Sequence, residues 1–238
     1  MLTLALDCSS ATGSVAIVEG QKVLYSTLLR SDRTAGETLI PSIVEGLAST
    51  GRTLPAFKRI ITTQGPGRFT GVRIGLNCAK SLSYSLGTPL FLVDSLTALA
   101  LSTPPITGDL LVVTNAFKNM VFASHFKYLE SGLTLSRGPS ALTLREFESW
   151  VTGPMSILGD AYELYGTAWS QEVRDKLTPI ESGPTHVDAR CLALSRAELF
   201  LKPSSWKDAI PLYLRGSEAE EKLKAGLLKP VEEIYKLK

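Results

Sequence analysis

Histidine is scarce in this sequence of 238 residues, with only His125 and His186 present. They stand far apart, and neither has a second ligand at metal-binding spacing, so no local metal motif exists and both read as structural or surface residues. Cysteine is equally sparse. Cys8, Cys78 and Cys191 are odd in number and widely spaced, which excludes a disulfide framework and predicts reduced thiols. No apolar run approaches the ~20 residues of a membrane span. The opening Met1-Leu2-Thr3-Leu4-Ala5-Leu6-Asp7 lacks the basic start of a signal peptide. The expectation is a cytoplasmic protein without membrane contact. Net charge is only +2, so attraction to nucleic acid would need a local patch. Internal repeats and low-complexity tracts are absent. So are a P-loop Gly-Lys-Ser/Thr and a Gly-x-Ser-x-Gly nucleophile turn, which leaves covalent catalysis without a local signature.

At 44% hydrophobic and 20% charged, the chain has the balance of a globular protein with room for one large domain or two small ones. Segments 2–9, 13–19 and 21–29 read as three short strands in an antiparallel meander. The period then changes. Leu39, Ile40, Ile43, Val44 and Leu47 recur at helical intervals, which predicts a helix over 37–51 ended by Gly51. A strand over 59–63, a glycine-rich loop, a helix to about 87 and a strand over 89–93 follow, so the first hundred residues read βββαβαβα. Beyond them, 110–115 and 120–126 read as paired strands, 143–150 as a helix, 155–158 as a strand and 188–201 as a helix. The tail over 217–238 mixes Glu and Lys around a few leucines. Thr103-Pro104-Pro105 and Gly108 interrupt the pattern, which divides the chain into 1–104 and 105–238.

The segment Gly65-Pro66-Gly67-Arg68-Phe69-Thr70-Gly71-Val72-Arg73-Ile74-Gly75 is the most distinctive in the chain. Gly65, Gly67 and Gly71 permit dihedrals or close approaches that a side chain would obstruct, and Pro66 stiffens the turn. Because the loop opens a helix, its free N–H groups could receive an anion beside Arg68 or Arg73. A tight strand-to-helix connection explains the same glycines. Asp7, ending the first strand, is a candidate nucleotide or magnesium contact or a cap for its own turn. The two early helices offer a different kind of site. One carries an apolar stripe and the other the small residues Gly75, Ala79, Ser81, Ser83 and Ser85, so a related helix pair could pack against them. The alternative is that these residues face the chain's own sheet.

Residues 4–9, the loop over 65–75, Asp94-Ser95-Leu96-Thr97-Ala98-Leu99-Ala100 and Pro211-Leu212-Tyr213-Leu214-Arg215 together resemble the TsaB (YeaZ) family, related to the glycoprotease-like (peptidase M22-like) proteins. The resemblance implies an α/β, actin-like and sugar-kinase-like (ASKHA) fold of two related lobes. It implies a non-catalytic subunit that binds and activates a TsaD-like transferase making N6-threonylcarbamoyladenosine at tRNA position 37. ATP and a metal are then expected in the partner rather than in this chain, which lacks a His-x-x-x-His pair. A TsaE-like ATPase in a larger complex, indirect contact with tRNA and a homodimer when alone are further expectations. On this reading Ile40, Ile43, Leu47, Leu76, Asn77, Lys80 and Tyr84 are the candidate partner interface. Two departures bear on chemistry. Ala35 stands where many members have His, and Asn115-Ala116-Phe117 replaces an Asp-Ala-Arg, so acid, base and ligand are lost together. The competing readings are an ATP-dependent acyl or phosphoryl transferase using Asp7 and the loop, a metallopeptidase, and a binding module with unrelated partners.

Overall fold

The computed structural model describes residues 1–29, 33–130, 132–181, 183–194, 197–216 and 226. The first unit opens with β1 (Leu2–Asp7), β2 (Ser14–Glu19) and β3 (Lys22–Leu28), an antiparallel meander. It continues through α1 (Ala35–Thr50), β4 (Arg59–Thr63), α2 (Phe69–Leu86), β5 (Leu90–Val93) and α3 (Ser95–Leu101). Because β4 runs parallel to β1 and β5 parallel to β4, the strand order is β3-β2-β1-β4-β5.

The second unit repeats this plan. Strands β6 (Gly108–Asn115), β7 (Met120–Leu129) and β8 (Gly132–Thr143) form a meander, followed by α4 (Leu144–Glu148) and by β9 (Met155–Leu158) parallel to β6. Then come α5 (Ala161–Tyr165), α6 (Gln171–Lys176) and β10 (Leu177–Pro179), giving the order β8-β7-β6-β9-β10. The same connection order in both sheets makes them two related lobes. After α7 (Ala189–Ala193) the chain returns to the first lobe, where β11 (Lys202–Ser204) pairs antiparallel with β5.

The central strands of each sheet are buried on both faces, and the pleat assigns their residues to different cores. Leu2, Leu4 and Leu6 of β1 pack outward with Leu39 and Ile43 of α1 and Leu76 of α2. Ala5 faces inward, toward a core that joins the lobes through α3 and α7 and includes Val112 and Phe126 of the second sheet. The outer face of the second sheet is closed by α4, α5 and α6 around Phe147, Trp150 and Trp169. Arg59, also inward, is buried and donates to Glu198 at 2.5 Å and to the Ala193 carbonyl at 3.3 Å, which ties the returning chain to the first sheet.

Most of the expected elements are present, and the differences have physical reasons. Helix α1 begins at Ala35 rather than Glu37, because Thr-Ala-Gly-Glu is a capping-box sequence: the Thr34 amide donates to Glu37 Oε2 at 2.8 Å. Strand β8 was not expected. It holds Gly138-Pro139 and carries little buried apolar surface, features that an edge strand tolerates and that hide it from pattern reading. The helix predicted over 188–201 is reduced to α7 and a following turn. Nearly all of the tail over 217–238 lies outside the described residues. Among those described, no helix is long and apolar enough to cross a membrane.

The glycine-rich loop is the tightest backbone contact between elements of the first lobe. A Cβ at Gly67 would lie 2.3 Å from the Ser9 carbonyl oxygen, and one at Gly71 only 2.0 Å from that of Cys8. Gly65 has φ +93°, and its peptide to Pro66 is cis. The Arg68 amide donates to the Ser9 carbonyl at 2.8 Å, so the end of β1 and the start of α2 lie backbone against backbone. We expect Gly71→Ala to cost about 3 kcal/mol of stability, because the carbonyl it strikes cannot move without displacing β1. Exposed Ser81→Ala should stay within about 0.5 kcal/mol of the parent. Urea denaturation checks both, and equal midpoints for the two variants would contradict the close-approach account.

Candidate functional site

Helices α1 and α2 lie side by side on the outer face of the first sheet. Neither has a sequence built for isolated stability. The first carries Pro41, Gly46 and the β-branched Thr38, Ile40, Ile43 and Val44. Burial of Thr38, Leu39, Ile43 and Gly46 against the sheet holds it, with Gly46 so near Tyr25 that a Cβ would approach its ring to 2.7 Å. The second buries Val72, Gly75, Leu76, Ala79 and Ser83. The remaining stripe, Asn77, Ser81, Tyr84 and Ser85, faces out. The small residues of α2 therefore belong to two stripes, one packed on the chain's own sheet and one exposed.

Between the exposed stripes runs an apolar groove of about 650 Å³, lined by Leu39, Ile40, Ile74, Cys78, Leu82 and Tyr84 among others. Ile40 is 51% exposed and Tyr84 67%, while Val44, one turn beyond Ile40, is 58% exposed. Exposed apolar side chains are thus grouped on two adjacent helices. Burial pushes the Cys78 thiol up to about 11, so it stays protonated near neutrality and supplies no reactive thiolate to the groove.

The candidate interface residues divide accordingly. Ile40, Asn77 and Tyr84 are on the surface, and Leu47 is half-buried at its edge. Ile43 and Leu76 are corrected: at 3% and 1% exposed they fill the lobe's own core and cannot meet a partner. Lys80 is half-buried, and its ammonium donates to the Ala209 carbonyl at 2.8 Å. Ile74 and Val44 join the surface, and their helical spacing alone could have suggested them.

The candidate anion contacts do not converge. Asp7 is fully buried. Its Oδ1 accepts from the Ser9 amide at 3.2 Å, the Ser9 hydroxyl at 2.6 Å and the Thr63 hydroxyl at 2.6 Å, so it caps its own turn and ties β1 to β4. Its Oδ2 finds no partner among the described residues. Burial pushes the Asp7 pKa above the ordinary aspartate value, against the lowering effect of the Ser9 and Thr63 hydrogen bonds. Arg73 is engaged elsewhere: its guanidinium lies over the Phe69 ring at 3.8 Å, and Nε donates to the Tyr213 hydroxyl at 2.6 Å. Arg68 is exposed. It borders an open recess of about 590 Å³ between the starts of the two helices and an interlobe cleft of about 150 Å³.

That cleft is small beside the roughly 300–1,000 Å³ of ordinary ligand sites, and Asp7 lines neither space. Loop residues Arg68 and Gly71 border the recess, whereas Asp7 is enclosed behind them. The cleft's polar groups are partly committed, since the Asn115 amide donates to Asp160 Oδ1 at 2.8 Å and the Tyr165 hydroxyl to Asn115 Oδ1 at 2.8 Å. Phe117, in the turn between β6 and β7, borders the cleft with φ +60°. Among the described residues, no three of His, Cys, Asp and Glu are grouped to hold a metal ion.

The family described as tRNA N6-adenosine threonylcarbamoyltransferase (TsaD) matches residues 30–156. The tRNA threonylcarbamoyladenosine biosynthesis protein TsaB of Buchnera aphidicola is 29% identical over 182 residues, spanning 76% of this chain and 85% of that one. The TsaB of Bacillus subtilis is 29% identical over 130 residues, 54% of this chain and 56% of its own length, so that match spans little more than half of the relative. The TsaB of Haemophilus influenzae is 37% identical over 98 residues, 41% of each chain. Among solved structures, YeaZ from Pseudomonas aeruginosa superposes with a TM-score of 0.73 at 24% identity, covering 90% of this chain and 99% of that one, which shows the shared fold.

The buried carboxyl also sets a pH dependence. A group whose folded pKa lies above its unfolded value of ~3.9 stabilises the fold below that value, and the contribution is lost as pH rises through the folded pKa. Asp7→Asn keeps an acceptor at Oδ1 and cannot ionise. From about pH 4 upward the parent should therefore lose stability relative to this variant in urea titrations. Parallel stability curves would show that the carboxyl carries no such penalty.

Proposed function

The chain belongs to the TsaB (YeaZ) branch of the tRNA N6-adenosine threonylcarbamoyltransferase family, and from that membership we propose that it is a non-catalytic subunit which docks a TsaD-like transferase on α1 and α2. It takes part in tRNA threonylcarbamoyladenosine biosynthesis. The single observation that carries the finer reading is the groove between the two helices, with Ile40 and Tyr84 more than half exposed at its rim. A helix pair of like construction would insert its apolar side chains there and make a four-helix contact. ATP and the metal belong to the partner in this reading, and the partner meets the tRNA. Alone, the same self-complementary face would pair two copies of this chain.

Support also comes from how three of the candidate polar groups are engaged. Asp7 is spent on its own turn, Arg73 on Tyr213 and Lys80 on a carbonyl. Aspartate at position 40 or 84 should weaken the complex with the purified TsaD-like subunit by about 100-fold or more, the loss of one central apolar contact of ~2–4 kcal/mol. Both residues are exposed, so the fold should be kept. Reconstituted tRNA modification should fall with the lost complex. Full modification in the absence of this chain, with no complex by light scattering, would sink the proposal.

A further inference from the structure

The Pro211-Leu212-Tyr213-Leu214-Arg215 motif has no part in the groove, yet the segment that carries it is fastened along α2. Residues 205–213 run opposite to that helix. Trp206 packs on Tyr84 with ring centroids 4.7 Å apart, the Ala209 carbonyl accepts from Lys80, and Tyr213 stacks on Phe69 at 4.8 Å. The Leu212 amide adds a hydrogen bond to the Gln64 carbonyl at 2.7 Å, just before the glycine-rich loop. Tyr213 is held in turn by Arg73 through its hydroxyl. Ala209 is fully buried in the outer core, which turns its neighbour Ile210 outward at 67% exposure.

A segment fixed at this many points has already lost its backbone freedom, so side chains it presents can bind without a further ordering cost. It presents the apolar Trp206 and Ile210 beside the charged Lys207 and Asp208, with the Lys207 ammonium 5.5 Å from the centre of the Trp206 ring. Trp206 remains 36% exposed although Tyr84 covers part of its ring, and Tyr84 is itself a rim residue of the groove between α1 and α2. The groove and the strap are therefore one continuous surface, joined at the Tyr84–Trp206 pair. Tryptophan and tyrosine are the residue types that dominate binding energy when they sit near the centre of a contact.

We propose that residues 205–213 form the second half of the docking surface, placing Trp206 against the same TsaD-like subunit that enters the groove. The motif at 211–215 pins this strap, with Tyr213 as a positioning residue. This inference rests on the partner reading above and extends the contact across the far flank of α2. The occupant is an apolar helix face of the partner that spans Ile40 on one side of α2 and Trp206 on the other.

Two measurements on the full chain and the purified TsaD-like subunit test it. In hydroxyl-radical footprinting, oxidation of Trp206 should fall on complex formation, whereas Trp150 and Trp169, buried throughout, should label weakly in both states. In titration calorimetry, Trp206→Ala should raise Kd at least tenfold, and Trp206→Phe, which can still stack on Tyr84, should recover most of the affinity. Unchanged Trp206 labelling in a complex that Ile40→Asp still disrupts would overturn the strap and leave the groove standing. Failure of the parent chain to form any complex would overturn both.

Discussion

The constraint on which the first lobe depends is the backbone contact between the end of β1 and the start of α2. Gly67 and Gly71 rest against the carbonyls of Ser9 and Cys8 with no room for a Cβ, and the Arg68 amide closes the gap with a hydrogen bond. Helix α2 therefore leaves the sheet at one angle. Gly75 continues the contact, since a Cβ there would lie 3.3 Å from the Cys8 side chain. Everything offered by the outer face follows from that placement: the groove with α1, the exposure of Tyr84 and the track along which residues 205–213 run. Ser95 secures the other side, its amide donating to the Gly65 carbonyl and its hydroxyl to that of Pro66.

The two lobes share a connection order and differ in what they do with their outer faces. In the second lobe short helices fold aromatic side chains inward, where Phe147 and Trp169 pack at 4.8 Å and Tyr162 lies 6.0 Å from the same indole. Phe147 is fully buried. In the first lobe long helices bury one stripe each and leave Ile40, Val44 and Tyr84 more than half exposed. One duplicated plan thus yields a closed outer face and one with an open apolar groove, because hydrophobic side chains either complete a core or stay at the surface. The interlobe side took a third course. Its polar groups cap turns and bind one another, leaving a narrow cleft.

Much of this was legible in the residues. The meander, the strand over 59–63 and the terminations of both long helices at Gly51 and Gly87 follow from period and punctuation, and each glycine takes the left-handed conformation that ends a helix. The need for glycine at 65, 67 and 71 was readable as well. Strand β8 was not, because an edge strand containing Gly-Pro buries too little apolar surface to produce alternation. Nor was the return of β11 to the first sheet, which depends on a pairing more than a hundred residues distant in sequence.

By itself the sequence determined which segments are helix or strand and which loop must lack side chains, since those are matters of local dihedrals and period. It also determined the family. Tertiary structure alone decided which apolar residues of α1 and α2 are core and which are surface. Ile40 and Ile43 share a stripe in sequence, yet one is 51% exposed and the other 3%, because the sheet covers only part of the helix circumference. It likewise decided that Asp7 would be buried, for a carboxyl at a strand end is enclosed only when a second strand brings Thr63 to meet it.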